Sequence, residues 1–129
     1  MSEQSLAGWA ASVAGASIVF ICLGLLVLFG AVFASAGDYQ FFRFSFFWLC
    51  LAWFAVYVAS IYALITLPGK GRQRRLASWG FATVVHAAIV IYFAFVQGFG
   101  SGAFILFGPE TIAALLSLAG FTKATRAGA

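Results

Sequence analysis

Between Glu3 and Asp38 no residue is charged, and that uninterrupted apolar run constrains the chain more than any other feature. A helix needs about 20 mainly apolar residues to cross the roughly 30 Å hydrocarbon core of a bilayer. Residues 6–36 exceed that length. Residues 41–67 repeat the pattern with only Arg43 inside, residues 77–97 enclose His86, and residues 101–121 enclose Glu110. Lipid offers no hydrogen-bond partner to the backbone, so apolar segments of this length read as helices. The expected fold is all-α, a polytopic membrane protein with four transmembrane helices as two antiparallel hairpins, in one domain over residues 1–129.

Composition supports this. Only 8% of residues are charged and 64% are hydrophobic, whereas a soluble domain carries about a quarter charged residues. The formal net charge of +4 is not spread as a phosphate-tracking surface requires. Lys70, Arg72, Arg74 and Arg75 crowd into the linker over residues 68–76, and Lys123 and Arg126 lie in the tail. No nucleic-acid partner is expected.

The positive-inside rule puts that basic linker in the cytoplasm, where Lys70, Arg72, Arg74 and Arg75 meet lipid headgroups. With four spans, both termini lie on the same side. Arg43 is the cation on the opposite side, with a stem long enough to snorkel. Trp9 and Trp79 are expected at the cytoplasmic interface and Tyr39 at the other. Ala34-Ser35-Ala36 has the form of a signal-cleavage site, but the stretch before it lacks a basic n-region, so the first segment reads as a retained helix. A bacterial inner membrane is the expected location.

Close helix approach in lipid runs through small residues. Gly8, Ser12 and Ala16, with Gly15 beside them, and Ala55, Ala59 and Ala63 on the second span form stripes suited to the seam of the first hairpin or to a seam with another protein. The lipid bilayer and other membrane subunits, or further copies of the chain, are the expected partners. Cys22 and Cys50 fit no metal-ligand spacing and read as small hydrophobes.

His86 and Glu110 carry the chemical interest, because ionisable groups deep in a membrane are costly and mark functional sites by default. In a hairpin turning near residue 99, the two lie at nearly equal depth, with a misfit of roughly 3 Å at the rise of an α-helix. Pro109 precedes the acid and lacks an N–H, which leaves the carbonyl of Ile105 without its helical donor. Glu110, His86 and Pro109 therefore form a candidate proton or polar-network site. Ala82, one turn before His86, leaves room beside the imidazole for tetrapyrrole ligation, although no cofactor is required by the sequence.

Neither a catalytic triad nor a metal-ligand cluster nor a phosphate-binding loop is present in the sequence, so no enzymatic activity is expected. The sequence reads first as a non-catalytic accessory or interaction subunit of a homo-oligomer or larger membrane complex. The alternative is a small proton-linked transporter or channel using the Glu110–His86 pair. A further alternative is a pigment- or haem-binding subunit through His86.

Overall fold

The computed structural model describes residues 2–36, 45–97 and 103–126, with the backbone alone for 25–36, 45–47, 93, 95–97 and 103–107. Its elements are four helices, α1 (Glu3–Ala36), α2 (Ser45–Ile65), α3 (Arg72–Gln97) and α4 (Ala103–Arg126). Among the described residues, α1, α2 and α3 are each long and apolar enough to cross a membrane. The connections containing Asp38, Tyr39, Arg43 and the glycines of residues 98–102, with most of the aromatic run over residues 41–48, lie outside the described residues.

Helix ends follow local chemistry. Ser2 caps α1, its Oγ accepting the backbone N–H of Ser5 at 3.1 Å, the role for which short hydroxyl side chains are favoured. After α2 the chain turns at Leu67-Pro68-Gly69-Lys70. The Lys70 N–H donates to the Leu67 carbonyl at 3.1 Å and Gly69 has φ of 81°, as in a type II turn with proline second and glycine third. The expected linker is shorter than residues 68–76, because α3 already begins at Arg72. Arginine and glutamine propagate a helix well, and the Arg75 N–H reaches the Gly71 carbonyl at 3.0 Å. The basic residues therefore form a helical first turn, with Lys70 just before it.

Around the bundle the most extensive pairings are α3 with α4 and α1 with α4, while α2 touches α1 and α3 more sparsely. At one end, Leu6, Ala7 and Ala10 of α1 meet Leu64 of α2, Leu67, Trp79 and Ala82 of α3, and Ala124 of α4. Helix beginnings thus lie with helix endings, and consecutive helices alternate in direction. A second apolar layer joins Ala14, Tyr57, Val85, Ile89 and Ala113. Glu3 ties the first end together, accepting from Arg75 Nη1 at 3.0 Å and from Trp79 Nε1 at 3.1 Å.

The inner face of α1 is the stripe Ala7, Ala10, Ala14 and Ser17, all buried. Gly8, Ser12 and Ala16 are exposed, as are Ala55 and Ala59, while Gly15 and Ala63 are half-buried. The small-residue stripes expected for the first hairpin are thus not its seam; most of each lies on the outer surface. Trp79 is fully buried within the bundle, because Gly120 presents no side chain and the indole lies flat over it; a Cβ there would stand 2.5 Å from three ring atoms. Trp9, in contrast, is exposed. Cys22 and Cys50 are both half-buried free thiols.

Candidate polar site at the centre of the bundle

Each helix delivers one polar side chain to the same buried point. Glu110 sits on the inner face of α4, directly after Pro109 and three residues before the buried Ala113. Ser17 comes from α1 at the end of the alanine stripe, Tyr57 from α2, and His86 from α3 one turn beyond Ala82. All four are at most 1% exposed.

Ser17 Oγ donates to Glu110 Oε1 at 2.7 Å. The Tyr57 hydroxyl donates to the same oxygen and also lies 3.1 Å from the Ala14 carbonyl. It has one proton and two acceptors, so it serves one of them at a time. His86 Nδ1 lies 2.9 Å from Glu110 Oε2, and which partner holds that proton depends on the tautomer and charge of the pair. The Tyr57 ring meets the imidazole edge-on, with centroids 5.0 Å apart and planes at 84°, the favoured arrangement for two aromatic rings. Ser60 Oγ is used locally, donating to the Tyr57 carbonyl at 2.7 Å.

His86 and Glu110, expected only at nearly equal depth, are in hydrogen-bond contact, and Pro109 stands beside them, half-buried. Ser17 and Tyr57 escaped the sequence reading. The available signal was a tyrosine in the middle of an apolar span rather than at its end, together with single hydroxyls at Ser17, Ser60 and Ser117. Two buried atoms of this region, His86 Nε2 and Ser117 Oγ, have no hydrogen-bond partner among the described residues.

His86 spends Nδ1 on a carboxylate, and Ala82, Val85 and Ile89 on the same face are themselves buried. The basic residues separate into different roles. Arg75 is half-buried in its bond to Glu3, Arg72 Nη2 donates to the Thr125 carbonyl at 3.3 Å, and Lys70 and Arg74 are exposed. Comparison of the chain with protein-family models, with curated proteins and with solved structures gives no match.

Proposed function

We propose that this chain is a four-span membrane protein, with both termini on the cytoplasmic side, whose work is proton-linked transport through the Glu110–His86 pair. The observation that carries the reading is the convergence of a hydroxyl or imidazole from each of the other three helices on one buried carboxyl group. A structural polar contact needs two helices; here every helix senses the charge of Glu110. When Glu110 is ionised, Ser17, Tyr57 and His86 all donate to it. When it is protonated, its own O–H becomes a donor and His86 Nδ1 turns from donor to acceptor, while Tyr57 has the Ala14 carbonyl as its other acceptor. Loading and unloading one proton thereby changes the bonds that hold α1, α2 and α3 to α4. Intramembrane acids paired with a histidine are among the groups that mark proton relays in pumps and transporters.

Liposomes containing a trapped pH dye and the purified chain should acidify faster than empty ones under an imposed pH and potential gradient. The Glu110→Gln variant should return to the empty-liposome rate. Wild-type liposomes no faster than empty ones, or undiminished flux in Glu110→Gln, would remove this reading.

The accessory-subunit reading keeps one observation in its favour. Gly8, Ser12 and Ala16 present a small-residue stripe outward, flanked by the exposed indole of Trp9, and such stripes are favoured where helices approach closely in lipid. Native mass spectrometry from nanodiscs at native expression separates the two. Stoichiometric partner proteins point to the subunit role, whereas a chain alone or with its own copies leaves transport.

A further inference from the structure

Buried polar atoms in native proteins almost always find a partner, and where no side chain supplies it a bound water does. His86 Nε2 and Ser117 Oγ are both fully buried and both without a partner among the described residues. They belong to facing helices. Along the α3–α4 contact Glu110 is level with His86 and Gly120 with Trp79, so Ser117 falls between them, seven residues beyond Glu110 on α4 and between one and two helical turns from His86. The two helices run in opposite directions, and helical side chains lean toward the N-terminus of their own helix. The His86 ring therefore leans toward the level of Ser117, and the Ser117 hydroxyl leans toward the level of His86. Ala82, buried on the inner face of α3, lies near that level and carries only a methyl group.

We propose that His86 Nε2 and Ser117 Oγ hold a water molecule between them, and that this water takes the proton next after the Glu110–His86 pair. This rests on the transport reading above. The step balances with the groups present. The O–H bond of protonated Glu110 breaks as an N–H bond forms at His86 Nδ1, and the N–H bond at Nε2 breaks as an O–H bond forms on the water. The products are a carboxylate, a neutral imidazole protonated on Nδ1, and a hydronium ion steadied by the Ser117 hydroxyl. The direction is toward the end of the bundle marked by Glu3, where the layer of Leu6, Leu64, Leu67 and Trp79 stands between Ser117 and bulk water.

Two measurements on the full chain in liposomes test this. Infrared difference spectra between acid and neutral buffer should show a water O–H band that shifts in heavy-oxygen water. That band should be present in the wild type and in Ser117→Thr and absent in Ser117→Ala. Proton flux should fall about tenfold in Ser117→Ala, a change of one decade in rate, and return in Ser117→Thr, with an unchanged thermal unfolding midpoint as the check on folding. A shifting band that persists in Ser117→Ala overturns the assignment of the water. Undiminished flux in Ser117→Ala overturns its role as carrier. If the wild type conducts no protons, the transport reading fails, and the band alone decides whether the water site exists.

Discussion

The Ser17 hydroxyl and the Glu110 carboxylate meet at 2.7 Å although 93 residues separate them in the chain. With Tyr57 and His86 on the same carboxylate, the first helix is bonded to the last through a centre that all four helices build. Removing parts of that centre should have graded effects.

Replacing Glu110 by Gln keeps the size and one acceptor oxygen, so the bundle should survive while proton-linked activity is lost. Replacing it by Ala strands the hydroxyls of Ser17 and Tyr57 and the imidazole of His86. Leaving a buried donor unpaired costs about 1–3 kcal/mol. Thermal unfolding in mild detergent should place Glu110→Ala well below Glu110→Gln. Equal midpoints for the two would mean that the carboxylate does not hold the helices together.

Gly120 should tolerate no side chain. A methyl group there would enter the Trp79 ring at 2.5 Å, and overpacking of this kind costs about 1–3 kcal/mol. Gly120→Ala should lower the unfolding midpoint and shift Trp79 emission. Combined with Trp79→Leu, it should cost less than the sum of the single changes, since the two residues share one contact.

At the turn after α2 the expected effect is smaller and has a different cause. Gly69 has φ of 81°, where a Cβ costs about 1–2 kcal/mol. Gly69→Ala should lose stability on that scale in chemical unfolding. Gly71→Ala, with open space around its position, should be close to neutral.

The two faces of α1 should respond oppositely to bulk. Ala14→Leu places three extra carbons in a site with no exposed surface and should destabilise the bundle strongly. Ala16→Leu, on the exposed face, should leave the unfolding midpoint of the single chain unchanged. A loss of self-association or of partner proteins in Ala16→Leu would assign that outer stripe to an interface.

The sequence showed four helical segments because length and lack of charge suffice to mark them. The nearly equal depth of His86 and Glu110 was also legible, since a short connection fixes relative depth, but whether the two face each other was not. Helix rotation was not. In a soluble helix a polar face shows which side points outward, whereas in lipid both sides of α1 are apolar. The stripes Gly8-Ser12-Ala16 and Ala7-Ala10-Ala14-Ser17 are then equivalent on paper. Contact with the other three helices selects the second, and with it Ser17 and the neighbouring position of Tyr57. The start of α3 was misjudged for a simpler reason: Arg72, Arg74 and Arg75 look like a loop by charge, yet they are good helix formers.

The carboxylate that joins the four helices lies on α4, the last of them to emerge during synthesis. Until α4 joins the bundle, Ser17, Tyr57 and His86 have no common acceptor. In the proposed four-span arrangement Glu110 raises the cost of inserting α4 alone, and the three donors already in place offset that cost. Assembly of the bundle should therefore be ordered, with α4 completing it.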